Sequence, residues 1–361
     1  MRKFKRYLAA MLSLLMILSV TACGKQTKPT EETQKPEPTE TVDKSTDNAA
    51  TALERVFPLG EVTPDDSYTI GFAVGTEDEF LSTIRGAVIV KAGELKVKVE
   101  TLFAEDNYEV QLAQIEEFVE MGCDAIIATL VDTENVAAAI EAAGDVPIVF
   151  VNRKPVQDDL LVDNKVVYVG SDEAYAGRQQ GEYLASYFEG KDLETVKYIL
   201  LRGKDGLHNT MERSESAIKA LEDAGLELES VYEASANWDR TEAKMTVLDV
   251  LNKELDVDCI IANNDLMALG AVDAVKEVDN EKYADVQVVG IDAIPLARVA
   301  IHNGDLAFTV FQDGESQGVT ALSAAVALAN GDDVPKLLDI PFIGIDSGNV
   351  DALNMADPQS K

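Results

Sequence analysis

Ile260-Ile261-Ala262-Asn263-Asn264-Asp265-Leu266-Met267-Ala268 is the stretch that decides how this chain folds. With Asp258-Cys259 before it, the apolar run is too short for a helix and has no polar alternation, so both faces must be buried. It stops abruptly at two amides and a carboxylate, and a helical pattern follows. A doubly buried strand running straight into a helix is the unit of a parallel sheet. The chain contains the same sentence earlier. Cys123-Asp124-Ala125-Ile126-Ile127-Ala128 ends in Leu130-Val131-Asp132. After each comes a helix and then a buried strand closed by a polar residue, Asn152 or Asp292. Two similar α/β lobes are expected.

Working outward, strands are predicted at Tyr68–Val74, Val97–Phe103, Ala125–Thr129, Pro147–Asn152 and Val166–Gly170. A second set follows at Val196–Arg202, Leu228–Glu233, Cys259–Asn263, Val286–Ile291 and Phe308–Phe311. Helices are predicted between them at 79–91, 108–121, 133–143, 210–224, 240–253, 266–278, 295–302 and 316–329. Cys123 and Cys259 fall at strand starts in different lobes and read as small core residues.

Composition excludes several function classes. The 361 residues carry 65 acidic and 31 basic side chains, a formal net charge of −34, so no basic surface for nucleic acid can dominate. Three cysteines and two histidines leave little for a disulfide framework or a zinc centre. No metal and no cofactor are expected.

Arg2, Lys3, Lys5 and Arg6 precede an apolar stretch from Tyr7 to Val20, and Val20-Thr21-Ala22-Cys23 follows. The segment resembles a bacterial lipobox, which implies cleavage before Cys23 and diacylation of its thiol; an ordinary secretory signal holding a cysteine is the alternative. Losing residues 1–23 removes four positive charges and takes the net charge from −34 to −38. Gly24 to Thr51 holds Thr, Glu, Lys and Pro but no aromatic residue, Leu, Ile, Met or Phe. Residues 24–66 are therefore expected as a disordered tether, leaving the folded part outside the cytoplasm beside a membrane.

Open parallel sheets bind ligands beyond the carboxyl ends of their strands. That rule selects Thr76–Phe80, Asn152–Arg153, Gly203–Arg213, Asn237–Asp239, Asn263–Asp265, Asp292 and Gln312-Asp313. The set is amides, carboxylates and guanidinium groups with two aromatics. It lacks a clear nucleophile and base. Ring hydroxyls donate and accept, so Asp and Asn beside Arg suit a sugar, and Phe80 and Trp238 offer flat faces for its C–H patches. Duller roles exist for each: Trp238 and Phe80 as packing anchors, Arg213 as a surface charge, Arg153 at the rim or between the lobes, Asp292 as a helix cap. Asp265 is expected to cap the helix after it, which frees Asn264 for the cleft. Asp78 and Asp292 as paired carboxylates of a sugar hydrolase are the enzyme alternative.

From Ile70 to Val350 the chain resembles the type I periplasmic sugar-binding proteins, nearest the galactose/glucose-binding branch. The resemblance rests on Asp78-Glu79-Phe80, Val149-Phe150-Val151-Asn152, Gly203-Lys204-Asp205-Gly206 leading to Arg213, Asn237-Trp238-Asp239, the stretch from Ile260 to Ala268, and Val289-Gly290-Ile291-Asp292-Ala293. It implies two lobes, each a parallel sheet flanked by helices, joined by a multi-crossing hinge. Residues 67–171 and 314–338 would form one lobe, 172–313 and 339–361 the other. It implies sugar contacts at Asp78, Phe80, Asn152, Arg213, Trp238, Asn264 and Asp292, with Phe80 and Trp238 sandwiching the ring. The branch's His-x-Asp reads Leu207-His208-Asn209 here, and its later Asn reads Gln312, so His208, Asn209 and Gln312 join the candidates while the sugar's identity stays open. The branch's calcium loop corresponds to Glu189–Thr195, which is too short and lacks alternating acceptors. The implied activity is not enzymatic. It is delivery of a monosaccharide, by a lipid-anchored monomer, to the permease and ATPase of an ABC importer. A sugar sensor with the same lobes, or a receptor for another polyol, pentose or furanose, is the alternative. A sugar-responsive repressor would need a DNA-binding helix-turn-helix before Tyr68, where a signal and tether stand instead.

Overall fold

A computed structural model describes residues 55–191 and 193–356. The signal segment, Cys23, residues 24–54 of the tether and Asp192 of the acidic stretch lie outside the described residues.

Six parallel strands make the first sheet: β1 (Thr69–Val74), β2 (Lys98–Phe103), β3 (Ala125–Thr129), β4 (Ile148–Val151), β5 (Val166–Gly170) and β11 (Leu337–Asp339). Their spatial order is β2-β1-β3-β4-β5-β11, every pairing parallel. Helices α1 (Glu79–Leu95) and α9 (Gly314–Asn330) cover one face, where Ile84, Val88, Leu322 and Val326 meet Ile70, Phe72 and Val149. Helices α2 (Tyr108–Glu120) and α3 (Val136–Ala143) cover the other, closing over Ile115, Phe118, Ile126 and Phe150.

The second lobe repeats the plan. Strands β6 (Val196–Arg202), β7 (Leu228–Ser235), β8 (Cys259–Ala262) and β9 (Gln287–Val289) lie in the order β7-β6-β8-β9, all parallel. Strand β10 (Thr309–Phe311) bridges to this edge at Val289–Phe308 and Asp292–Phe311 and pairs antiparallel with β12 (Ile343–Ile345). Helices α4 (Glu173–Phe188) and α5 (His208–Asp223) pack on one face; α6 (Arg240–Leu251), α7 (Asp265–Val278) and α8 (Pro295–Asn303) pack on the other, with α10 (Val350–Ala356) behind them. Both sheets begin 2-1-3-4, which places a topological switch point between β1 and β3 and another between β6 and β8. Three segments cross between the lobes: 171–172, 312–313 and 340–342.

Helix α4 is absent from the sequence reading. Its inner stripe is Ala176, Gly177, Gln180 and Gly181 before Leu184, and only Leu184 and Phe188 carry a helical apolar signal. The glycines serve close approach: a Cβ on Gly177 or Gly181 would collide with the carbonyls of Arg213 or Ala217 on α5. Residues 55–66, placed in the tether by composition, lie along α9. Arg55 pairs with Glu315 at 2.7 Å near its start, and Asn330 at its end donates to Thr63 O and accepts from Asp65 N, both at 3.0 Å. Leu59 and Val62 pack on the first lobe's core between these ends.

Candidate functional site

Each switch point faces the other across a cleft, and the residues that line it come from loop ends of both sheets. Asp78, Phe80 and Leu81 follow β1, and Asn152 and Arg153 follow β4. Asn209 and Arg213 stand on α5; Trp238, Asn264, Asp292 and Gln312 follow β7, β8, β9 and β10. Together they wall one small cavity between the lobes.

The backbone at three of these positions is in the left-handed region that L-residues avoid: Asn152 at φ 67°, Trp238 at φ 65° and Asp292 at φ 119°. Strain at strand ends persists only where surroundings hold it, and it turns each side chain out of the sheet. Asp292 is held on both sides, its amide donating to Val310 O at 2.8 Å and its carbonyl accepting from Gln312 N at 3.2 Å.

On the first lobe, Asp78 Oδ1 caps α1 by accepting from Leu81 N at 2.7 Å, so its other oxygen is the one available to a ligand. Asn152 Nδ2 donates to Gln317 Oε1 at 3.2 Å, and Gln317 Nε2 donates to Ser171 Oγ at 3.1 Å. Arg153 belongs to the cavity wall rather than the rim. It is 3% exposed, and its Nη1 donates to Leu130 O at 2.8 Å.

On the second lobe the centre is Arg213, which is buried rather than a surface charge. Its Nε donates to Glu173 Oε2 at 2.6 Å, Nη1 to Asn263 O at 2.9 Å and Nη2 to Gln312 Oε1 at 3.4 Å; Asp292 Oδ1 lies 3.8 Å from Nη1. Burial alone would lower the Arg213 pKa, but the Glu173 and Asp292 carboxylates outweigh it and the guanidinium stays charged. Burial pushes the Asp292 carboxyl well above the usual range; Arg213 opposes that, while Asp265, Asp78 and Glu173 add to it. Glu173, on the helix the sequence reading missed, carried no motif to find it by.

The caps differ from expectation. Asn264, not Asp265, caps α7, its Oδ1 accepting from Met267 N at 3.0 Å, which leaves its amide NH₂ for the cavity. Asp265 instead turns inward and accepts from Thr309 Oγ1 at 2.7 Å and Ile294 N at 3.0 Å. Asp292 is no cap either: Ile294 holds the N-cap position of α8, without a side-chain bond. His208 is not among the residues lining the cavity. It opens α5 with its Nε2 3.9 Å from Glu212, and its backbone amide donates to Thr133 Oγ1 at 3.1 Å.

Two buried donors on the wall, Trp238 Nε1 and Gln312 Nε2, have no hydrogen-bond partner among the described residues. Leaving such a donor unpaired costs about 1–3 kcal/mol, so the wall is built to give hydrogen bonds to something it encloses. Outside the cavity the lobes touch: Lys204 Nζ reaches Asp106 Oδ2 at 2.6 Å, and Thr133 Oγ1 donates to Gly206 O at 3.3 Å. The cleft is therefore closed at its outer mouth. Residues 70–333 match the family model for a periplasmic binding protein domain.

The chain belongs to the periplasmic binding protein family. A Rhizobium meliloti relative named for rhizopine binding is 32% identical over 287 residues, 78% of this chain and 91% of that one. The D-galactose/methyl-galactoside binding periplasmic protein of Haemophilus influenzae is 28% identical over 296 residues, 76% of this chain and 88% of that one. Among solved structures, an ABC transporter solute binding protein from Bacillus halodurans with bound myo-inositol is 31% identical, with a TM-score of 0.74 over 82% of this periplasmic binding protein and 100% of its own chain. The Caulobacter myo-inositol binding protein is 25% identical with a TM-score of 0.71, covering 81% and 97%. Similarity to the periplasmic binding proteins thus spans both lobes and carries ligands of more than one ring type. No described helix of this periplasmic binding protein is long and apolar enough to cross a membrane.

Proposed function

We propose that this chain is the extracytoplasmic receptor of an ABC importer and that it encloses one neutral ring polyol, a monosaccharide or a cyclitol. The observation that carries the reading is the cavity wall itself. It sets the Asp78 and Asp292 carboxylates beside the Arg213 and Arg153 guanidiniums, the unpartnered Trp238 and Gln312 donors, and two aromatic faces. Each hydroxyl of a ring polyol both donates and accepts, so such a ligand can satisfy carboxylates, amides and guanidiniums together. The H. influenzae relative named for galactose and the B. halodurans protein holding myo-inositol support galactose and myo-inositol as the first ligands to try.

Mechanistically, the ligand bridges residues of both lobes only when they are together, so its binding energy favours the closed form over the open one. The Lys204–Asp106 and Thr133–Gly206 contacts across the outer mouth belong to that closed form. Closed, the receptor, acting as a monomer, presents both lobes at once to a permease pair whose ATPase drives release. A diacylated Cys23 would keep it beside that partner.

Isothermal titration of the ligand-free protein with myo-inositol, galactose, glucose, ribose, xylose and arabinose tests the reading. Trp238 is the sole tryptophan, so its emission reports the same site. Saturable binding by a ring polyol, lost in Trp238→Ala, is expected. A folded, ligand-free protein silent to the whole panel overturns it.

A further inference from the structure

Arg213 stands on a second-lobe helix, yet it meets a side chain at or just past each of the three segments that cross between lobes. Just beyond the first crossing, Glu173 accepts from Nε at 2.6 Å, the two side chains only 1% and 3% exposed. In the second, Gln312 Oε1 accepts from Nη2 at 3.4 Å. In the third, the Phe342 ring centroid lies 5.9 Å from Cζ. The remaining edge of the guanidinium faces the cavity, where Asp292 stands 3.8 Å from Nη1 and the Trp238 ring 5.9 Å from Cζ. Hinge closure is absorbed by torsion changes in a few crossing residues. Here those residues converge on one planar group that also lines the ligand cavity.

A guanidinium is a rigid fork, so fixing one of its nitrogens fixes where the others point. The bond that fixes it is the Glu173 contact, charge-assisted and shut away from water, and such bonds are roughly twice as strong as neutral ones. Glu173 itself does not line the cavity. We propose that Glu173 is the positioning residue of this site, holding the Arg213 plane so that ligand contact and lobe closure act through one ion pair. The proposal rests on the reading of the cleft as a ring-polyol site.

The test is a double-mutant cycle of Glu173→Gln and Arg213→Met with two readouts. One is the dissociation constant for the ring polyol that binds the wild type. The other is the interlobe distance distribution from pulsed electron resonance, with nitroxides on Glu120→Cys and Glu229→Cys, both exposed. Glu173→Gln is expected to weaken binding about 10- to 100-fold, as loss of a hydrogen bond to a charged group does. It should also leave the distance distribution broad at saturating ligand while the circular dichroism stays native. In the Arg213→Met background it should change neither readout further, because it acts through Arg213. Additive losses, or a lowered melting point with affinity and distances within twofold of wild type, overturn the proposal. If Glu173→Gln does not fold, Glu173→Asp, which keeps the charge but shortens its reach, takes its place in the cycle. Should no polyol bind the wild type, the reading of the cleft fails by itself. The ligand-free distance distributions then decide the positioning role: Glu173→Gln must still differ from wild type, and must not differ in the Arg213→Met background.

Discussion

The Trp238 indole occupies the space that a Cβ on Gly203 would need. The two residues follow neighbouring strands, β6 and β7, and the glycine cannot retreat. Its amide donates to Asn263 Oδ1 at 3.0 Å, and its carbonyl accepts from Ser235 Oγ at 2.6 Å. Gly203→Ala must therefore move the ring rather than the loop. Overpacking of this kind costs about 1–3 kcal/mol, and the displaced ring no longer faces the ligand. Where that cost falls on the ligand-bound form, binding should weaken about 5- to 150-fold, with a changed tryptophan emission in the ligand-free protein. Unchanged affinity and emission would show that Trp238 is not a fixed wall.

The outer mouth offers a second test. Lys204 and Asp106 are both over one-third exposed, and an exposed pair contributes only about 0–1 kcal/mol. Because it bridges the lobes, that energy belongs to the closed form alone. Lys204→Ala should raise the dissociation constant by no more than about fivefold, with the effect vanishing at high salt as screening removes the pair. Lys204→Glu, facing Asp106, should raise it further at low salt. A salt-independent loss would place Lys204 in direct contact with the ligand instead.

Much of the architecture could be read from residue patterns, because Ala125–Thr129 and Cys259–Ala262 are buried on every side chain and leave no helical alternative. The cavity was legible for the same reason: strand ends are where polar residues interrupt such runs. What stayed hidden depends on contacts between distant segments. Helix α4 packs through glycines, which carry no hydrophobic period. Glu173 looks like any first-turn glutamate until Arg213 is beside it. The choice of Asn264 over Asp265 as the cap follows from Thr309, forty-four residues later, claiming the aspartate. Arg153, expected at the rim or between the lobes, is buried in the wall through its bond to Leu130, while His208 stands outside it with its amide on Thr133.

Segment 55–66 is held to α9 at both ends, by Arg55–Glu315 at one and at the other by a single side chain, Asn330, that bonds both Thr63 and Asp65. Each such bond is worth about 1 kcal/mol net. Asn330→Ala should therefore destabilise the protein by about 1–2 kcal/mol and expose the segment to proteases. Ligand affinity should not change, since none of these residues lines the cavity. Limited proteolysis with mass mapping, beside a binding isotherm, separates the two effects. Protection of the segment equal to wild type would show that Leu59 and Val62 hold it without the asparagine.

Asp265 ties stability to pH. Burial pushes its carboxyl from 3.8 up to about 7, against the opposing bonds from Thr309 and Ile294. Above pH 4 the unfolded chain has released this proton, while the native protein keeps it until about pH 7. A native state that binds more protons than the unfolded one loses stability as pH rises, so this contribution falls between about pH 4 and pH 7 and is flat beyond. Burial also pushes the Asp292 carboxyl well above its usual range, and the two acidic groups influence each other. The comparison is therefore best made in an Asp292→Asn background. There, the unfolding free energy of the protein retaining Asp265 should decline across that window by on the order of a few kcal/mol relative to the Asp265→Asn variant. Chemical denaturation at half-unit steps from pH 4 to pH 8 measures it. A difference that stays constant with pH, or grows, would mean that Thr309 and Ile294 stabilise the ionised form strongly enough to cancel the burial of Asp265.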